Sequence, residues 1–128
     1  MGSGMRRGAL VAVAFLAAGC DAFSRTDEAI CAPPSGPPGA LRAVAPEQLE
    51  LTNECVWFWA YRLAPAEGSI ADVADAVIGA CFSNIEHYEA LIARGANRPP
   101  DAAAAAAAFR RDAMYRVAEA RAGNCPSG

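Results

Sequence analysis

Basic residues are scarce in this chain of 128 residues, and none of them is lysine. The 11 arginines face 14 acidic residues, which gives a formal net charge of −3. Proteins that bind nucleic acid neutralise its phosphates with a basic surface, and this chain has too few basic residues to form one. We therefore expect no nucleic-acid partner.

The residue combinations that carry chemistry are also lacking. The chain has one histidine, no glycine-rich phosphate loop and no Cys-x-x-Cys pair, so we expect no catalytic residue, no metal site and no cofactor. Its densest polar group is Glu86-His87-Tyr88-Glu89, a pattern that on a helix is more often a solvated face than a site. A small hydrolase or metal enzyme that uses Glu86, His87 and Glu89 remains an alternative.

A long hydrophobic run is missing too. The apolar run from Ala9 to Ala18 has 10 residues, about half of the roughly 20 that a membrane-spanning helix needs. It follows Arg6 and Arg7 and ends in small residues, which is the layout of a secretory signal peptide. We expect residues 1–19 to be removed, leaving a mature chain with nine arginines, 14 acidic residues and a formal charge of −5.

The end of this segment, Leu16-Ala17-Ala18-Gly19-Cys20, resembles the lipobox of bacterial lipoproteins, although Ala17 stands where that family most often has leucine. The resemblance implies that Cys20 is lipidated, becomes the mature N-terminus and anchors the chain in the bacterial cell envelope, facing the periplasm. Asp21, directly after the modified cysteine, implies by the same resemblance that the anchor stays in the inner membrane. The alternative is an ordinary signal peptide, which would leave Cys20 to enter a disulfide.

The mature chain divides into a tether and a helical domain. Residues 20–45 contain four prolines and two glycines, a composition that does not sustain a helix or a sheet. Residues 46–125 show three helical patterns and no alternation typical of a half-buried strand. The sequence therefore predicts an all-α, three-helix domain. Its helices run from about Pro46 to Leu63, from a capping box at Ser69 and Asp72 to Gly95, and from after Asp101 to about Ala122.

Four cysteines remain after Cys20, an even number in a chain that we expect outside the reducing cytosol. If the first two helices are antiparallel, Cys55 and Cys81 lie at nearly the same height, so we expect them to form one disulfide. Cys31 and Cys125 would form the other. By loop-closure entropy these bridges contribute about 3.5 and 4.5 kcal/mol respectively. Buried free thiols or a four-cysteine metal site are the alternatives.

The first predicted helix becomes apolar almost all round at Val56-Trp57-Phe58-Trp59-Ala60-Tyr61. Such a helix must be enclosed, and two neighbouring helices cover only part of it. Trp57, Trp59 and Tyr61 therefore form the candidate interaction surface. Three covers are open at this point: the tether held by a Cys31 disulfide, a protein partner or second copy of the chain, and the lipid interface.

The segment from Cys55 to Ala64, followed by Cys81, resembles small uncharacterised exported proteins of proteobacteria, and this resemblance implies no activity. The sequence favours a membrane-anchored periplasmic lipoprotein that acts as a non-catalytic protein-interaction or accessory subunit of the cell envelope. Its expected partners are the membrane, through the N-terminal lipid, and another protein or a second copy. A carrier of lipid or of another small hydrophobic ligand, with helices that open around a cavity in a saposin-like way, is the first alternative.

Overall fold

The computed structural model describes residues 30–33, 38–95 and 102–126. Within these ranges all regular structure is helical, in the order α1 (Ala45–Leu63), α2 (Ile70–Ala80), α3 (Phe82–Gly95) and α4 (Ala102–Arg121). The prediction of a small all-α, disulfide-bonded domain is confirmed. The predicted signal peptide, Cys20 and Asp21 lie outside the described residues. Among the helices described, none is both long and apolar enough to span a membrane.

The prediction of three helices is wrong, because the second predicted helix is two helices. Cys81 stands between α2 and α3 with φ −100° and ψ 10°, outside the α-helical region. The apolar stripe continues across this break, since Val73, Val77, Cys81 and Ile85 are all buried. The backbone conformation thus departs from the helix at one residue, while the spacing of the buried side chains stays the same. A prediction based on that spacing cannot detect the break.

The helix ends follow from their local sequences. Pro46 stands in the first turn of α1, where a backbone N–H has no helical partner in any case. Ser69 caps α2 in the predicted capping box: its Oγ accepts from the N–H of Asp72 at 3.1 Å, and its own N–H donates to the Asp72 carboxylate at 2.9 Å. Gly123, at φ 76°, ends α4 in a left-handed conformation that favours glycine.

Two disulfides hold the helices and the tether together, in the predicted pairing. Cys55 is bonded to Cys81 with the alpha carbons 5.8 Å apart, and Cys31 is bonded to Cys125 with the alpha carbons 5.2 Å apart. The first bridge joins α1 to the junction between α2 and α3. The second fastens the tether to the segment that follows α4.

Helix α1 lies at the centre of the fold and packs against the other three helices, while α4 also packs against α2. The Cys55–Cys81 bridge fits an antiparallel α1 and α2. Helices α1 and α4 are parallel, because Leu49 lies near Phe109 at one end and Ala64 lies against Arg121 at the other. The inward sides of all four helices form one buried core, which includes Val56, Ala60, Val73, Val77, Ile85, Phe109, Ala113 and Val117.

The end of α4 is fastened to the connection between α1 and α2. The guanidinium of Arg121 donates hydrogen bonds to the carbonyl oxygens of Ala64, Ala66 and Gly68, at 2.9, 2.7 and 3.0 Å. Ala64 directly follows α1, and Ala66 and Gly68 lie in the connection to α2. Backbone carbonyls in such places have no partner within a helix. A single side chain therefore satisfies three backbone groups and fixes the height of α4 against α1.

Candidate functional site

The three aromatic residues of the candidate interaction surface do not share one environment. Tyr61 is fully buried, so including it in an exposed surface was wrong. Its ring lies in a small cluster with Cys31, Ala64 and Ala120. The tether, held by the Cys31–Cys125 bridge, covers this turn of α1, which is one of the three covers expected from the sequence. Periodicity along α1 could not show where a segment outside the helix would pack.

Trp57 and Trp59 remain partly exposed. The ring of Trp59 packs beside the main core and meets the ring of Phe58 edge to face, with 5.3 Å between centroids. The ring of Trp57 lies 6.1 Å from that of Tyr61, next to the turn that the tether covers. Trp57 therefore marks the boundary between the covered end of α1 and the open part of its surface.

Arg116 of α4 covers one face of Trp57. Its guanidinium carbon lies 4.3 Å from the centre of the indole, within the range of a cation–π contact, and its Nε donates to the Asp112 carboxylate at 2.9 Å. Partial burial lowers the pKa of Arg116, but the hydrogen bond and charge of Asp112 help to raise it above its usual value. The indole N–H of Trp57 is buried without an acceptor among the described residues, so packing and Arg116 set the position of the ring.

A groove runs between the parallel helices α1 and α4, and Trp57 stands at one end of it. It consists of two adjoining clefts, of about 380 and 420 Å³, which share Asn53 and Asp112. We call this surface the α1–α4 groove. The first cleft is lined by Leu49, Asn53, Tyr88, Ala105, Ala108, Phe109 and Asp112, and the second by Glu50, Asn53, Glu54, Trp57, Asp112 and Arg116.

The first cleft is the apolar end of the α1–α4 groove. Phe109 and Tyr88 meet edge to face there, with 5.9 Å between ring centroids. The wall on the α4 side is low, because Ala105 and Ala108 have short side chains and both are at least partly exposed. The alanine-rich first half of α4 thus leaves room for another molecule against these two aromatic rings.

The second cleft is the acidic end. Three carboxylates, from Glu50, Glu54 and Asp112, and one guanidinium, from Arg116, line it, so its formal charge is −2. Asp112 is paired with Arg116, whereas Glu50 and Glu54 have no ion pair within the part of the chain that the structure describes. The α1–α4 groove can therefore receive apolar groups at one end and positive charge at the other.

Only part of this groove is readable from the sequence. Glu50, Glu54 and Trp57 follow one another at helical spacing, so their common face on α1 was readable from the sequence. Asp112 and Arg116 likewise show the spacing of a helical ion pair. No sequence signal indicated that these two faces would meet, because that depends on how α4 packs.

His87, which lies between Glu86 and Glu89 in the sequence, makes a hydrogen bond to the backbone before α1. His87 Nε2 lies 2.6 Å from the backbone carbonyl of Arg42; a carbonyl can only accept, so this nitrogen carries the proton. The imidazole therefore holds the segment before α1 against α3. Burial, followed by the charge of Glu86, raises the pKa of Glu89. Across the described residues, no cluster of three His, Cys, Asp or Glu side chains could hold a metal ion.

Comparisons with known proteins identify no relative of this chain. No protein-family model matches the chain, and neither a curated protein nor a solved structure matches it significantly.

Proposed function

We propose that this protein is an exported bacterial lipoprotein, anchored through Cys20, whose helical domain faces the periplasm. There it binds another protein of the cell envelope and acts without catalysis. The lipobox-like segment before Cys20 supports the anchor, and Asp21 supports its retention in the inner membrane.

Location outside the cytoplasm rests on the cysteines. The disulfides Cys31–Cys125 and Cys55–Cys81 indicate an oxidising compartment, since cytosolic proteins of most bacteria keep their thiols reduced. With these four cysteines paired, Cys20 is left over as an odd thiol, which fits its use as the site of a lipid.

The observation that carries the proposed binding role is the α1–α4 groove with the half-buried Trp57 at its end. Exposed surfaces with aromatic residues are typical of protein interfaces. Among the described residues of the tether, Cys31 covers Tyr61, whereas Trp57 is partly exposed and lines the groove. The groove is thus the surface on which a partner would find both aromatic and charged contacts.

The lipid anchor is tested by metabolic labelling with radioactive palmitate in the bacterium. We expect the wild-type chain to incorporate label and to fractionate with the inner membrane. We expect the Cys20→Ala variant to incorporate none, because the thioether needs the Cys20 sulfur. Cys55→Ala serves as the matched control and should still be labelled. Label in Cys20→Ala, or none in the wild type, would contradict the anchor.

The binding role is tested by a photoreactive amino acid, p-benzoylphenylalanine, placed at Asn53 in the centre of the α1–α4 groove. We expect irradiation of whole cells to link the chain to a protein that mass spectrometry identifies. The same amino acid at Ser83, which is exposed at the start of α3, is the control for random encounters. Equal yields from the two positions, or no protein product from Asn53, would refute a binding role for the groove.

A second candidate function is the binding of a small hydrophobic ligand. The apolar cleft of about 380 Å³ falls within the volume range of small-molecule pockets. The ligand would lie in this open cleft, because core side chains fill the space between the helices. Native mass spectrometry of protein purified from the envelope tests this: a retained lipid that is lost in Ala108→Trp would support a carrier.

A further inference from the structure

We propose that the occupant of the α1–α4 groove is a basic amphipathic helix of a partner protein. This inference rests on the proposed binding function and adds the chemistry of the partner. The apolar side of that helix packs against Phe109, and its arginine or lysine side chains reach Glu50 and Glu54.

The shape of the groove fits a short helical segment. From Leu49 to Trp57 it is about 12 Å long at a rise of about 1.5 Å per residue, which corresponds to roughly two helical turns of an occupant. Ala105 and Ala108 keep the α4 wall low, so a third helix can approach closely. Amphipathic helices commonly bind in such grooves through apolar anchors spaced one turn apart.

The charge of the groove determines whether the partner segment should be positively or negatively charged. Glu50 and Glu54 have no ion pair within the described ranges, and the cleft that they line has a formal charge of −2. Arginine or lysine on the partner would place positive charge beside both carboxylates. Complementary charge speeds association, whereas like charges that face each other oppose it. An acidic partner is therefore disfavoured.

The same charges disfavour the other two covers for this surface. At a membrane surface, the carboxylates of Glu50 and Glu54 would be repelled by anionic headgroups. A second copy docked groove to groove would bring the same carboxylates together. A basic segment of a different protein meets neither difficulty.

The test begins from the Asn53 photocrosslink in intact cells, with the full-length chain. Glu50→Arg combined with Glu54→Arg reverses the charge of the groove, and we expect it to lower the crosslink yield about tenfold or more, because like charges then oppose. Glu67→Arg combined with Glu86→Arg is the matched control. It makes the same change in net charge at two exposed positions outside the groove, and its yield should stay within about twofold of wild type.

A second variant tests the shape independently of charge. Phe109 is buried and its replacement would disturb folding, so we use Ala108→Trp, which fills the apolar cleft from an exposed position. We expect it to lower the yield by a similar factor. Circular dichroism and the mass shift on thiol alkylation confirm that each variant retains its helices and both disulfides.

The sequence of the crosslinked peptide shows whether the partner segment is basic and amphipathic. We expect mass spectrometry to place the link in a segment with apolar residues at helical spacing and a net positive charge. An acidic segment, a lipid, a second copy of this chain, or a protein link that survives both groove variants would overturn the basic-helix inference while leaving the binding function in place. No protein link at all from Asn53 would overturn the binding function as well.

Discussion

At the scale of single residues, Arg121 joins the end of α4 to the connection between α1 and α2. Its guanidinium bonds three carbonyl oxygens, at 2.7 to 3.0 Å, on the connection between α1 and α2. Arginine can do this because its donors form a rigid planar fork, whereas the lysine ammonium is a compact point charge. The position requires the geometry of a guanidinium and not merely a positive charge.

We expect Arg121→Lys to lower the free energy of unfolding by about 2 kcal/mol, since hydrogen bonds from a charged donor are lost and carbonyls lose their partner. Urea unfolding followed by circular dichroism measures this. Arg111→Lys is the control, because Arg111 is exposed on the same helix, and it should change stability by less than about 0.5 kcal/mol. Equal losses in the two variants would contradict the role given to Arg121.

Cys81 shows what sequence could and could not reveal about a single residue. Its pairing with Cys55 was predictable, because the helical rise is fixed and both residues lie at similar distances from one turn. The non-helical backbone conformation of Cys81 was not predictable, because the buried side chains keep their spacing through it. Tyr61 was misplaced for a related reason: the residue that covers it, Cys31, is far away in sequence and comes near only through a disulfide.

At the scale of elements, two polar side chains of α1 contact the first turn of α3, just after the break between α2 and α3. Gln48 and Thr52 of α1 are both fully buried. Gln48 Nε2 donates to the backbone carbonyl of Asn84 at 3.1 Å, and the Thr52 hydroxyl lies 3.2 Å from the same carbonyl while it donates to the backbone carbonyl of Gln48 at 2.7 Å. The side-chain oxygen of Gln48 accepts from the N–H of Arg42 at 2.8 Å. Buried polar groups need such partners, so this contact fixes the register of α1 against the first turn of α3.

The capping box at the start of α2 makes its stability depend on pH. Hydrogen bonds from the side chain and then the backbone of Ser69 lower the pKa of Asp72 below 3.8. A carboxylate with a lowered folded pKa stabilises the fold above its unfolded pKa, and this contribution is lost as pH falls through the folded value. Arg110, through a hydrogen bond, lowers the pKa of Asp75 in the same way.

We therefore expect wild-type stability to decrease as pH falls below about 4, and Asp72→Asn to show a weaker decrease over the same interval. Urea midpoints measured between neutral and strongly acidic pH provide the test. Glu67→Gln, which changes an exposed carboxylate outside the capping box, should follow the wild-type profile. A parallel profile for Asp72→Asn would show that the capping box does not contribute to the pH dependence.

The α1–α4 groove shows the limit of sequence interpretation for elements. Helix α4 was predicted correctly from its alanine run and its end at Gly123. Its rotation about its own axis was readable from the one-sided spacing of Phe109, Ala113 and Val117, which all lie in the core, but which helix would lie beside its other sides was not. The packing of α4 puts Asp112 and Arg116 beside α1 and creates the groove, so half of the candidate site is a property of packing and not of local pattern.

At the scale of the whole molecule, the two disulfides have different tasks. Cys55–Cys81 lies in the main core and joins helices to one another. Cys31–Cys125 joins the tether to the end of the chain and keeps Cys31 over Tyr61. Small domains gain much of their stability from such bridges, because the hydrophobic core alone is limited.

We expect Cys31→Ser with Cys125→Ser to lower the free energy of unfolding by about 4.5 kcal/mol, and Cys55→Ser with Cys81→Ser to lower it by about 3.5 kcal/mol. The variant without Cys31 and Cys125 should keep its helical circular dichroism signal. Acrylamide should quench the fluorescence of its Trp57 more strongly, as measured in a Trp59→Phe background. The variant without Cys55 and Cys81 should also lose helical circular dichroism signal, since its two new serines lie in the core. Unchanged quenching in the first pair would contradict the tether as the cover of this end of α1.

The bond between Cys31 and Cys125 closes a covalent ring, because these residues are 94 positions apart in the chain. A protease that cuts one peptide bond anywhere inside this ring produces two fragments that stay attached to each other. A single cut therefore does not separate the C-terminal fragment from the N-terminal one until Cys31–Cys125 is reduced, together with Cys55–Cys81 when the cut lies between those two residues. Separating the fragments of a nicked domain thus requires two different chemical events, whereas a single cut before Cys31 detaches the whole domain from the segment upstream of it.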